Sequence, residues 1–178
     1  NVDFEGRVVV QGNVVRGFSV NAQRKIVIKG QVEADTTLQS ASSVQILGGI
    51  KGGGTARIQA KASVSTAFAE GCEIHSRHTI NVDTSLIRCK LYAAKSIQVT
   101  GHGSRVTASD LVAGQSISLI SAGSQSHEPV LLKIEQPTDD LSASERLYLE
   151  SLIDKIQDEI KYSQTRIKRY KEQGSKAV

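Results

Sequence analysis

Apolar and polar residues alternate along this chain in short runs that return at a nearly fixed interval. Apolar pairs separated by one residue occur at Val8 and Val10, Ile26 and Ile28, Val44 and Ile46, Ile80 and Val82, Ile97 and Val99, and Ile117 and Leu119. Successive pairs lie 18, 18, 36, 17 and 20 residues apart, and the interval of 36 reads as two periods with a coil passing near Ala62 and Val64. A period of two is that of a strand with one buried face. Gly12, Gly30, Gly48 and Gly101 each follow two residues after a pair, so the strand runs into a corner. Further apolar steps at Val14, Val32, Ile50, Ile58, Ile74, Leu86, Leu91, Val106 and Leu111 predict three short strands per coil, a triangular turn of about 18 residues.

No single coil can bury its inward Val and Ile, whereas coils stacked about 4.8 Å apart pair their backbones and align like side chains. The expected fold is an all-β solenoid, a right-handed parallel β-helix of about six coils over residues 1–137, carrying a helical appendage over residues 138–178. The right-handed form is favoured because a left-handed hexapeptide helix needs a strict six-residue repeat, which the Gly48–Gly54 stretch and the uneven intervals break. Val130–Ile134 is expected to form a last strand, bracketed by Pro129 and Pro137. Nothing in the sequence covers the first coil. With Asn1 leading and no Met present, the chain reads as a piece of a longer protein.

From Leu141 the period becomes helical. Ser142 and Glu145 have the spacing of a capping box, and Leu149, Ile153, Ile156, Ile160, Ile167 and Tyr170 form an apolar seam with Ser163 at its missing step. Gly174 is a natural stop, giving roughly 32 residues and about 48 Å of coiled-coil-like helix. Such a seam calls for a second helix, in the same protein or in another copy.

Composition sharpens this reading. With 3 Phe, 4 Tyr and no Trp or Met, the core must be tiled from small branched side chains, which suits regular stacking. No apolar run approaches the roughly 20 residues that span a bilayer. Residues 1–140 hold 14 Lys and Arg against 12 Asp and Glu, and residues 141–178 hold 8 against 6, so no basic field marks a nucleic-acid partner. The basic stretch Lys161–Lys171 reads as a solvated helix face. Cys72 and Cys89 are about one period apart, too few for a disulfide scaffold, and read as packed thiols on neighbouring coils in a reducing compartment, where a disulfide between them is geometrically possible but not required.

Catalytic chemistry finds little footing. Asp83 and Asp110 are isolated acids, and Glu70 and Glu73 flank a corner. His75 and His78 would point to opposite sides of a strand, and His102 sits between two glycines as a corner residue. The run Gly48–Gly54 lacks the spacing of a phosphate loop and reads as corners of positive φ. We therefore expect no enzyme activity, no metal and no cofactor.

Val44–Gly52, Ala67–Gly71 with Ile74, and the stretch Ile80–Gly103 followed by Ala113 and Ile117 resemble the FapA family, named for flagellar assembly protein A. Cys89 departs from a common Ser, Thr107–Ser109 replaces a glycine-rich corner, and the second helix of the family's hairpin is absent. The resemblance implies a right-handed β-helix followed by a helical hairpin, and a cytoplasmic bacterial protein, recruited to the cell pole, that affects flagellar assembly by binding proteins. It also points to the glucose-specific EIIA component of the sugar phosphotransferase system as partner, linking motility regulation to sugar supply. Exposed corner residues Lys51, Arg57, Arg77, His78, Arg88 and His102 are the first candidates for contact, with self-association through the helix as a second route. The alternative is a self-assembling β-helix resembling bactofilins or the C-terminal domain of the division inhibitor MinC.

Overall fold

The computed structural model describes residues 1–124 and 128–135. Their strands pair in parallel, and each pairing joins one coil to the next. Each coil has three sides, here called faces 1, 2 and 3 in the order the chain meets them. Face 1 carries Val2–Phe4, Ser19–Ala22, Thr37–Ser40, the second halves of the long strands Ile50–Ala60 and Ala69–Ser76, then Lys90–Ala93, Asp110–Ala113 and Leu131–Ile134. Face 2 holds seven strands, from Val8–Val10 to Ser116–Leu119. Face 3 is narrower, with bridges joining Val14, Val32 and Ile50, followed by Ala69, Leu86, Val106 and Ala122.

The solenoid therefore has seven rungs on face 2 rather than about six coils. One of these rungs is Val64–Thr66, the coil expected near Ala62 and Val64, paired with Val44–Ile46 on one side and with Thr79–Val82 on the other. Its second inward residue is Thr66, so it shows no apolar pair of its own. Thr66 is buried all the same, because its hydroxyl donates to the Phe68 carbonyl at 2.9 Å, so a polar side chain costs the core no unmet hydrogen bond.

Inward residues stack in columns. Val20, Leu38, Ile58, Ile74, Leu91 and Leu111 line face 1, and the paired aliphatics line face 2. The largest fully buried side chains are all Ile or Leu, as expected for a core without large aromatics; burying each is worth about 1.5–3 kcal/mol. Where face 1 turns into face 2 the column is small: Ala22, Ser40, Ala60, Ser76, Ala93 and Ala113. Ser40 donates to the Arg24 carbonyl at 2.8 Å and accepts from the Ser42 amide, and Ser76 does the same with Ala62 at 2.6 Å and with His78. These hydroxyls satisfy corner backbone groups that no strand can reach.

The last strand among the described residues is Leu131–Ile134, within the expected span. No helix among the described residues is long and apolar enough to cross a membrane. The expected helix over residues 138–178, with its capping box and its seam from Leu149 to Tyr170, lies outside the described residues.

Candidate protein-binding face

Strand alternation turns two columns of face 1 outward. The first runs Ser19, Thr37, Arg57, Glu73, Lys90 and Asp110. From Arg57 onward its charges alternate in sign, so each neighbour one coil away is attractive. The second runs Asn21, Gln39, Gln59, His75, Tyr92 and Val112. Coil spacing places successive members about 4.8 Å apart.

Contacts run along the second column and, through Glu73 and His75, between the two. Gln39 Nε2 donates to Gln59 Oε1 at 3.1 Å, and the His75 and Tyr92 rings stack with centroids 4.6 Å apart and planes inclined by 17°. Glu73 holds His75 Nε2 at 2.8 Å through Oε1 and faces Arg57 Nε at 3.8 Å through Oε2. The hydrogen bond from His75, reinforced by electrostatic attraction to His75, Arg57 and Lys90, lowers the Glu73 pKa below its ordinary value despite some desolvation. Cross-strand pairs of this kind contribute about 0.2–1 kcal/mol each. Their larger effect is to fix side chains in place before any partner arrives, which lowers the entropic cost of binding.

Of the six residues expected from sequence to make contact, all are exposed, but only Arg57 lies on this face. Lys51 stands on face 3 opposite Glu70, and Arg88, at the following corner with φ of 50°, reaches Glu70 Oε1 at 2.8 Å. Arg77 and His78 occupy a corner between faces 1 and 2, and His102 a corner between faces 2 and 3. His75 and His78 do not take opposite sides of one strand, because the strand ends at Ser76 and the chain bends before His78. Gln39, Gln59, Glu73, His75, Lys90 and Tyr92 were missed. The signal was present: Gln39, Gln59, His75 and Tyr92 recur at 20, 16 and 17 residues, the same intervals as the inward Leu38, Ile58, Ile74 and Leu91 beside them.

Glu70 and Glu73 lie on different faces, on either side of the corner at Gly71 and Cys72. Face 1 is thus an ordered polar surface whose groups are paired with one another, the kind of surface that recognises a shape. In class the molecule is a parallel β-solenoid presenting two in-register polar columns on one side. The chain belongs to the FapA family: the model for the Flagellar Assembly Protein A beta solenoid domain matches residues 1–178. Neither a curated protein nor a solved structure matches the chain.

Proposed function

We propose that this chain is a non-enzymatic adaptor in bacterial flagellar assembly, and that face 1 is where it docks a protein partner. The observation behind this reading is the pair of outward columns, held in register by the coils and fixed by the Glu73–His75 and His75–Tyr92 contacts. The flagellar setting comes from the family. A right-handed coil sense is part of the proposal, supported by the strong preference of parallel crossovers for that hand. So are a cytoplasmic, polar location and a coiled-coil helix beyond the solenoid that pairs the protein with a second helix.

The family resemblance makes the glucose-specific EIIA component the partner to test. Calorimetric titration of the chain with that protein, phosphorylated and unphosphorylated, should show saturable binding by at least one form. The variant Arg57→Glu/Lys90→Glu/Tyr92→Ala should bind at least tenfold more weakly while keeping its β-rich circular dichroism. Absence of heat with either form would remove this partner. Undiminished binding by the variant would remove face 1 as the docking surface.

A further inference from the structure

Cys72 and Cys89 are the only two cysteines in the chain, and they meet inside the corner between faces 3 and 1. Cys72 pairs with Ala56 on one side, and Glu73 and Lys90, the residues that follow the two cysteines, are paired on the other. The thiols therefore occupy equivalent positions on adjacent coils, with Sγ atoms 3.6 Å apart. Both residues are buried, at 4% and 1% exposure. Their slot is tight: a methyl group at Gly52 would sit 3.0 Å from the Cys72 Cβ, and the Cys89 amide donates to the Ser109 hydroxyl at 3.0 Å.

We propose that Cys72 and Cys89 form an oxidisable dithiol, a covalent modification site at which hydrogen peroxide closes a disulfide between neighbouring coils. Stacked strands set the two Cα atoms about 4.8 Å apart, inside the range of about 4.4–6.8 Å that a disulfide spans. Rotation about the side-chain bonds brings the sulfurs together without moving the backbone. The way in for a small oxidant is the corner at Arg88, an exposed residue with φ of 50° directly before Cys89, whereas Gly71, directly before Cys72, is buried.

Either sulfur can be the donor in the contact between the two thiols. The arrangement in which Cys72 donates lowers the Cys89 pKa and raises that of Cys72, and it makes Cys89 the first to attack. The Cys89 thiolate attacks one peroxide oxygen, the O–O bond breaks, and the departing hydroxide takes up a proton as water, leaving a sulfenic acid. The Cys72 sulfur then attacks the Cys89 sulfur. The S–S bond forms, the S–O bond breaks, and the oxygen leaves as a second water with the Cys72 proton. Two thiols lose two electrons in all and one peroxide gains them. The ring so closed spans residues 72–89, one full coil. This proposal is independent of the adaptor reading.

The test treats the reduced chain with hydrogen peroxide under native conditions, then maps unreduced peptides by mass spectrometry and follows thermal unfolding. Expected are a monomer lighter by two hydrogens, a Cys72–Cys89 linked peptide, and a melting temperature raised by roughly 5–10 °C and restored by dithiothreitol. Cys72→Ser and Cys89→Ser should fold, as shown by circular dichroism, because serine and threonine already occupy this corner at Ser109 and Thr36. Neither variant should show the temperature shift. Thiols still free after treatment would overturn the proposal, as would sulfinic or sulfonic acids without a link, disulfides only between chains, or linkage only in denaturant.

Discussion

Ile46 sits directly over Ile28, Cα paired with Cα in parallel register, and both side chains are buried. Removing one opens a cavity between its neighbours on Ile28 and Thr66, because the coil spacing set by backbone hydrogen bonds cannot collapse to fill it. Ile46→Ala should cost about 2–5 kcal/mol in urea unfolding. Leu47→Ala, one residue on but about half exposed, should change stability by no more than about 0.5 kcal/mol.

The corner between faces 3 and 1 is left-handed in coil after coil, at Gly17, Asp35, Gly53 and Gly54, Gly71, Arg88, Ala108 and Gly123. An L-residue there is strained by roughly 1–2 kcal/mol. Ala108→Gly should therefore stabilise the protein by about 0.5–1 kcal/mol after the added freedom of the unfolded chain is deducted. Gly71→Ala should do the opposite and cost about 2–3 kcal/mol, since its Cβ would also lie 2.7 Å from the Gly54 nitrogen. Equilibrium unfolding of the two variants checks both signs.

A second kind of glycine is required by approach between coils. Gly48 donates to the Gly30 carbonyl at 3.1 Å, and a Cβ there would meet the Gly30 carbonyl carbon and oxygen at 2.5 Å. Gly12 occupies the same column but faces open space. Gly48→Ala should therefore cost about 2 kcal/mol or more, whereas Gly12→Ala should remain within about 1 kcal/mol of the natural chain.

These contrasts show where the sequence speaks and where it is silent. The face 2 pairs declare themselves because Ile and Val at alternate positions are a strong signal; at the one rung where Thr66 replaces an aliphatic, the coil is legible only from the doubled interval around it. The apolar steps at Ile58, Ile74, Leu91 and Leu111 were visible, but not that they form a face separate from Val32, Ile50, Leu86 and Val106; that depends on where the chain turns. Turns at Asp35, Arg88 and Ala108 carry no glycine to announce them. The small column through Ser40 and Ser76 is equally quiet, since Ala and Ser fit surfaces and cores alike. Reading Gly48–Gly54 as corners of positive φ holds for Gly49, Gly53 and Gly54, while Gly52, like Gly48, is small because neighbours press on it. Basic residues drew attention as contact candidates by charge, which says nothing about the face that each will occupy.

Glu73 links charge on face 1 to stability. Its folded pKa is lowered, chiefly by the hydrogen bond from His75. The contribution is thus fully present above the unfolded value of about 4.3 and lost as pH falls through the lower folded value. A carboxyl-carbon NMR titration should place Glu73 below the ordinary glutamate range. His75→Ala should move it back upward, and an unchanged Glu73 titration in that variant would contradict the assigned contact.

Face 1 is a ruler on which residues far apart in sequence stand a fixed number of coils apart. Asn21 and Val112 are separated by five coil steps through Gln39, Gln59, His75 and Tyr92. Spin labels introduced by Asn21→Cys and Val112→Cys, with Cys72→Ser and Cys89→Ser removing the native thiols, measure that span directly by pulsed electron resonance. The account predicts one narrow distribution centred at about 24 Å. A broad distribution, or a centre beyond about 40 Å, would contradict it.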